Sequence, residues 1–284
     1  MKLRILVDNN SITDRYFRSE PALSVWVDDG SANILLDTGY SDAFLHNGTK
    51  MRLDFSRLDA VVLSHGHFDH TWGLAPLVAW YTEAGPEGRV TRRPRIVAHP
   101  AALEDKVLPE GGSIGSMFSP ETLSRFFPVQ LSRTPVELSE HTVFLGEIPR
   151  RFSFEEPPRY NLRVREGVAE PDHLPDDTAL AVNTSEGLVL VCGCAHAGVC
   201  NTLEYAREVT GQDRVRAVYG GFHLLGATPE RLEETGRYLA DLGVQEIWPV
   251  HCVDLEAKAA LARYLPVREA GTGISLSFRD HSSL

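Results

Sequence analysis

The 284-residue sequence predicts an α/β fold in which two mixed β-sheets pack on each other and carry helices on their outer faces. Two observations lead there. Short runs rich in Val, Ile and Leu crowd the first sixty residues and recur after Thr178. In both halves these runs then give way to strand–helix alternation. A chain of this length can bury a substantial core, and no composition break or short-period repeat divides it. We therefore expect one domain over residues 1–284, with irregular insertions at about 104–135 and 149–177.

The elements follow in order. "LRILVD", "ALSVWVDD" and "ANILLDTG" read as strands ended by Asp, Asn or Gly turns. "LDAVVLSHG" is apolar enough to be a strand buried on both faces. A helix is expected over Thr71–Tyr81, then a strand at "RPRIVAHP". The pattern fails from Glu104 to Pro135 and again in "IPRRFSFEEPPRYNLRVREGVAEPDHLPDD". Such stretches are either solvated insertions or lids over a site; Phe118, Phe126 and Phe127, read as exposed aromatics, speak for a lid over Glu104–Pro135. "TALAVNTSEGLVLVCGC" reads as a hairpin closed at Ser185–Gly187, and "NTLEYAREVTG" as a helix stopped by Gly211. Then come strand "VRAVYGG", helix "TPERLEETGRYLADLG", strand "EIWPVHC", helix "DLEAKAALARYLP" and a last strand near "GISLSF". Thr228 caps the first of these helices and Pro229 sits in its first turn.

A formal charge of −11 argues against nucleic acid as a partner. "TRRPR" at Thr91–Arg95 reads as a solvated loop, although it could face an anionic substrate. No apolar stretch is long enough to span a bilayer. The start, "MKLRILVDNNS", turns polar after Val7, too soon for a signal-peptide core. A cytoplasmic protein is expected. Cys192, Cys194, Cys200 and Cys252 all lie in the second half and three of them cluster, which suits reduced thiols better than a disulfide framework.

The chemistry concentrates in "VVLSHGHFDHTWGL", Val61–Leu74, where three histidines and an aspartate fall within six positions. His65 and His67 are two apart, so in extended chain both imidazoles point the same way and can meet one ion. Asp69 and His70 stand where the strand gives way to a helix and can turn to a second ion. Imidazole with carboxylate is a typical zinc set and also suits iron or manganese. Gly66 between them allows close backbone approach. A lone histidine is most often structural; three alternating with an aspartate would be costly to bury unpaired. "VCGCAHAG", "YGGFHLLG" and "WPVHC" place His196, His223 and His251 each just past a strand, so all three should lie along one edge of the sheets. His46, His99, His141, His173 and His281 lack that context and are assigned to surface or structure. Asp37, in "LLDTG", either accepts a hydrogen bond from a ligand imidazole and fixes its tautomer or is a turn residue before Gly39.

These residues resemble the metallo-β-lactamase superfamily. "HGHFDH" matches its H-x-H-x-D-H signature, "LLDTG" its upstream strand-end Asp motif and "PVHC" its late histidine motif. The resemblance covers nearly the whole chain and implies a four-layer αββα sandwich with two divalent metal ions in a cleft at one edge, zinc first, manganese or iron as alternatives. By position it implies His65, His67 and His196 on one ion, Asp69, His70 and His251 on the other, and Asp37 as the acceptor behind an imidazole. The sequence departs from the pattern at "VCGCAHAG", where Gly193–Cys194 replaces the usual "GD" with its bridging Asp. Cys194 then reads as a thiolate ligand or a neutral bystander, and His223 as a substitute ligand or a group acting on substrate.

The activity implied is metal-dependent hydrolysis of an ester or phosphoester small molecule by a metal-activated water, with Asp69 and His223 as candidate catalytic residues. "GCAHAG", "GGFHL" and "PVHC" look most like one branch, which includes a dihydropterin-linked synthase joining a pterin to a ribofuranosylaminobenzene phosphate. A C–C bond-forming transferase that releases pyrophosphate is therefore the alternative. A non-catalytic metal- or ligand-binding module ranks lower, because the four-residue cluster is complete. The expected partner is a small molecule, phosphate-bearing in the synthase reading.

Overall fold

The structure is a computed structural model that describes residues 1–155 and 161–279; His281 lies outside them. The first part of the chain forms β1 (Lys2–Val7), β2 (Ser24–Asp28), β3 (Asn33–Leu36), α1 (Ala43–Lys50), β4 (Ala60–Leu63), α2 (Phe68–Thr71), α3 (Leu74–Ala84) and β5 (Arg95–Ala98). The middle forms β6 (Asp105–Val107), α4 (Pro120–Leu123), β7 (Val129–Leu131), β8 (Val136–Glu137), β9 (Thr142–Phe144), β10 (Leu162–Arg165) and β11 (Val168–Pro171). The remainder forms β12 (Ala179–Thr184), β13 (Gly187–Cys192), α5 (Val199–Thr210), β14 (Val215–Gly221), α6 (Pro229–Asp241), β15 (Ile247–Val250), α7 (Leu255–Leu261) and β16 (Ser275–Ser277).

Two large sheets result, seven strands in the order β16-β1-β2-β3-β4-β5-β7 and six in the order β15-β14-β13-β12-β9-β8. Both are mixed. β1, β2 and β3 pair antiparallel, whereas β3, β4 and β5 run parallel. β12 and β13 form the expected hairpin, and β13, β14 and β15 run parallel.

Side-chain alternation builds the layers. Val25 and Val27 of β2, Ala60 and Val62 of β4, and Val189 and Val191 of β13 meet in one apolar cluster between the sheets. Their neighbours point the other way. Trp26, Val61 and Leu63 join a cluster with Phe44 of α1 and Leu74, Leu77 and Tyr81 of α3. Leu188, Leu190 and Cys192 join one with Leu203 of α5, Leu239 of α6 and Leu261 of α7. Three apolar interfaces make four layers, the predicted αββα sandwich. These strands read as unbroken apolar runs because both faces are buried; each fully buried Val or Leu contributes about 1.5–3 kcal/mol.

Local signals behave as expected at two helix ends. The Thr228 side chain accepts the Arg231 N–H at the start of α6, with Pro229 next, and Gly211 ends α5 at φ 64°. The helix expected over Thr71–Tyr81 is two helices, α2 and α3. The break falls where the Gly73 N–H donates to Gly39 O at 3.0 Å, which ties it to the end of β3.

The stretches read as irregular differ more. β6, β10 and β11 form a third, three-stranded antiparallel sheet. Strands of three or four residues are too short to show a period. Phe127 is buried, and Phe118 and Phe126 pack half-buried against the cluster under α3, so these aromatics are core rather than lid. Among the described residues no helix is long and apolar enough to cross a membrane, and all four cysteines are free.

Candidate metal centre

Parallel strands in both sheets send their C-terminal ends to one edge, and each is followed by a sharp turn. Asp37 follows β3, Ala195 and His196 follow β13, His223 follows β14 and His251 follows β15. Asp37, Ala195, His223 and His251 adopt φ of 58°, 53°, 48° and 58°. Left-handed backbone at a non-glycine residue costs about 1–3 kcal/mol and clusters where a site demands it.

The turns bring the predicted donors together. His65 Nε2 lies 3.2 Å from His196 Nε2 and 3.0 Å from His67 Nδ1. His70 Nε2 lies 3.2 Å from both His251 Nε2 and Cys194 Sγ. Asp69 Oδ2 sits 3.3 Å from His251 Nε2 and 3.7 Å from His70 Nε2. Two triads have donor atoms all within 4.8 Å of one another: His65, Cys194 and His196, and His70, Cys194 and His251. Cys194 belongs to both.

The hydrogen bonds behind these rings leave lone pairs facing each other. His70 Nδ1 lies 2.7 Å from Asp37 Oδ2, a carboxylate that can only accept, so Nδ1 carries the proton. His251 Nδ1 lies 3.0 Å from Asn9 Oδ1, which assigns its proton the same way. Ser64 Oγ donates to Asp37 Oδ2 at 2.6 Å and therefore accepts from His65 Nδ1 at 3.0 Å. The Nε2 atoms of His65, His70 and His251 thus point inward as acceptors, two of them 3.2 Å apart. Facing acceptors repel unless a proton or a metal cation lies between them, and the donor set fits a metal.

The electrostatics agree. Burial, then the neighbouring imidazoles, hold His65 and His196 well below the ordinary histidine range and keep them neutral. Burial also lowers His67 to about 4. Burial acts to lower His70, but Asp69 and Asp37 outweigh it and raise it to about 9, so positive charge is favoured there. Burial pushes the Asp69 carboxyl up, yet His70 and His251 hold it below the usual carboxylate range. Burial raises the Cys194 thiol, and a facing cation is the ordinary means of making such a thiol a thiolate.

Several supporting residues escape sequence reasoning. Asp8, just past β1, accepts the His251 N–H at 2.8 Å; the strand-end rule that singles out Asp37 applies to it equally. Asp176 accepts the Gly66 N–H at 2.8 Å and pairs at 3.1 Å with Lys106, whose Nζ also lies 2.6 Å from Asp172. Asp177 accepts the Ala197 N–H at 2.8 Å beside His196, and burial raises its carboxyl to about 6. No periodic signal marks Lys106, Asp172 or Asp176, which lie in the stretches read as irregular.

Of the histidines set aside, His46 and His173 are exposed, whereas His99 is buried, accepts the Ala101 N–H and faces Glu147. His67, Asp69, Cys194, His196 and His251 form one wall of a cavity of about 630 Å³, with His65 and His70 buried behind them. Asn161, Asp172 and Leu174 of the second insertion, Tyr40, Phe68 and Leu225 complete it, and His223 lines it with its ring 4.2 Å from that of His196.

Gly193 lets the two sheets close on this edge. A Cβ there would fall 2.0 Å from Ser64 Oγ and 3.0 Å from Asp37 Oδ2. Gly193→Ala is expected to destabilise by about 1–3 kcal/mol and to lower bound metal, read by thermal melting and elemental analysis. A variant with unchanged melting temperature and metal content would show that the approach is not needed.

A two-sheet sandwich with helices outside and histidine-bearing turns along one edge defines the metallo-β-lactamase class of fold. The chain belongs to the metallo-beta-lactamase superfamily, whose family model matches residues 19–216. Its members typically bind divalent metals. Over 266 residues it is 30% identical to the 7,8-dihydropterin-6-methyl-4-(beta-D-ribofuranosyl)-aminobenzene-5'-phosphate synthase of Methanocaldococcus jannaschii, covering 91% of this chain and 89% of that one. A crystal structure described as a metal-dependent hydrolase of the beta-lactamase superfamily superposes with a TM-score of 0.83 at 28% identity, over 99% of this chain and 100% of the other. The metallo-beta-lactamase fold protein YhfI of Bacillus subtilis shares the fold at a TM-score of 0.57 and 13% identity, over 97% and 98% of the two chains.

Proposed function

We propose that the chain is a hydrolase that cleaves small ester or phosphoester molecules at two divalent ions, zinc by preference. The observation that carries this reading is the pair of triads that share Cys194 in the wall of a substrate-sized cavity. Imidazole and thiolate are donors that suit zinc better than manganese. His67, in contact with His65, joins the first triad, and Asp69, in contact with His251 and His70, joins the second. When bound, the ions supply positive charge against a developing oxyanion and lower the pKa of water to about 7.

The chain's own residues orient that chemistry. Asp37, Asn9 and Ser64 hold the Nδ1 atoms of His70, His251 and His65, which keeps each Nε2 a lone-pair donor. His223 stands on the cavity wall, and its Nδ1 has no hydrogen-bond partner among the described residues. In this reading it gives a proton to the leaving group.

Protein purified without chelator is expected to carry about two metal ions per chain and to hydrolyse activated phosphodiesters. The His65→Ala, His67→Ala double variant should lose metal and at least about a hundredfold in turnover. Full metal content and activity in that variant would overturn the proposal.

The identity to the M. jannaschii synthase along most of both chains supports a second reading, a transferase that joins a dihydropterin pyrophosphate to an arylamine-bearing phosphate. Incubation with a dihydropterin pyrophosphate discriminates. Pyrophosphate release that requires the arylamine favours the synthase; release without it favours the hydrolase.

A further inference from the structure

One end of the cavity is donors; the rest of its wall carries the polar Asn9, Asn161 and Asp172 and apolar side chains that include Tyr40, Phe68 and Leu225. Tyr40 and Leu225 line it and are 44% and 70% exposed, although large apolar side chains are otherwise mostly buried in this chain. Their exposure is not a sign of slack. The Tyr40 ring stacks on Trp72 at 5.2 Å with 26° between planes and meets the Phe68 edge at 5.9 Å and 79°. Trp72 is itself fixed, its Nε1 donating to Gly115 O at 2.8 Å. The Tyr40 N–H donates to Glu20 Oε1 at 3.0 Å. The Leu225 N–H donates to Cys252 O at 3.1 Å, next to the His251 turn. Tyr40 comes from the turn after β3, Phe68 opens α2 after β4, and Leu225 comes from the turn after β14. Preset aromatic and aliphatic walls beside a reactive centre are how an enzyme binds a ring without ordering it first.

We infer that Tyr40 and Phe68 on one side and Leu225 on the other form a slot for a flat aromatic or heteroaromatic ring carried by the substrate, so that the site selects aryl over alkyl compounds. Tyr40 continues the Trp72 stack with a further ring, which a saturated ring cannot do equally well. This rests on the proposed metal-dependent reading, because the donors hold the polar group to which the ring is attached.

The test uses the metal-loaded protein in two arms. In the first, calorimetry compares phenylphosphonate, cyclohexylphosphonate and methylphosphonate as ligands. Phenylphosphonate should bind about tenfold tighter than the methyl compound and several-fold tighter than the cyclohexyl one. Tyr40→Ala and Leu225→Ser should bring the phenyl-to-methyl ratio towards one, and Tyr40→Phe should keep it. Equal affinity for phenyl and cyclohexyl, or a ratio unmoved by Tyr40→Ala, overturns the slot. In the second arm, 4-nitrophenyl phenyl phosphate and 4-nitrophenyl methyl phosphate are compared as substrates with a common leaving group. A preference for the phenyl diester that resides in KM and follows the binding ratio supports the slot. Turnover of both together with equal affinity for the phenyl, cyclohexyl and methyl phosphonates sinks the slot and leaves the hydrolase. Ring-selective binding without turnover sinks the hydrolase and leaves the slot.

Discussion

Cys194→Ala is expected to release both of the proposed ions together, with loss of at least about a hundredfold in metal affinity and in any turnover that depends on metal. The reason is position. Cys194 Sγ is the one donor that belongs to both triads, whereas His196 and His251 each serve one. His251→Ala should therefore remove one ion and leave the other, and metal-to-protein ratios distinguish the two variants. Cys194→Asp is the informative partner. A carboxylate at this turn restores a donor able to face both groups, but a harder one, so metal should return with its preference moved from zinc towards manganese. If Cys194→Ala retained two ions per chain, the thiol would be a neutral neighbour and the shared-donor account would fail.

The second large effect is expected at a buried residue that is not itself a donor. Lys106 is wholly buried against Asp172 and Asp176. Burial alone would lower its ammonium pKa, but the two carboxylates outweigh burial and hold it above its ordinary value. Lys106→Met leaves two buried carboxylates without their cation, a change that costs about 3–5 kcal/mol and lowers Tm on the order of 10 °C. The damage should reach the histidine loop, because Asp176 also holds the Gly66 N–H between His65 and His67. It should reach the cavity wall as well, because Asp172 accepts the Leu174 N–H at 2.9 Å. Lys106→Met combined with Asp172→Asn and Asp176→Asn removes all three charges and keeps both backbone acceptors. That triple variant should recover most of the lost melting temperature. A single variant as stable as the parent would show that the network carries no such weight.

The legibility of the chain followed burial and period. β2, β4 and β13 announce themselves because both faces are packed, so their apolar runs are unbroken. His196, His223 and His251 were readable for the same reason: each stands one to four residues past such a run. Asp37 is legible by the same rule, and Asp8, just past β1, obeys it too. The third sheet was not legible. Its strands β6, β10 and β11 are short and half-exposed, and β6 pairs with β10 across more than fifty residues of sequence. The Lys106 network shares that obstacle, for its members lie 66 and 70 residues apart and meet only through the tertiary fold. The aromatics Phe118, Phe126 and Phe127 show the opposite error, because apolar side chains outside any periodic run were read as exposed when they complete a core.

The shared thiol site joins turns that belong to different sheets, His65 and His70 from the seven-stranded one and Cys194, His196 and His251 from the six-stranded one. An ion held there works as a rivet through the open margin of the sandwich. A ligand bound only by the folded form at a thousand times its Kd adds about 4 kcal/mol to unfolding. Metal supply in the cell would then govern how long the polypeptide lasts as well as what it can catalyse, and starvation for the ion would mark the chain for turnover by loosening its seam.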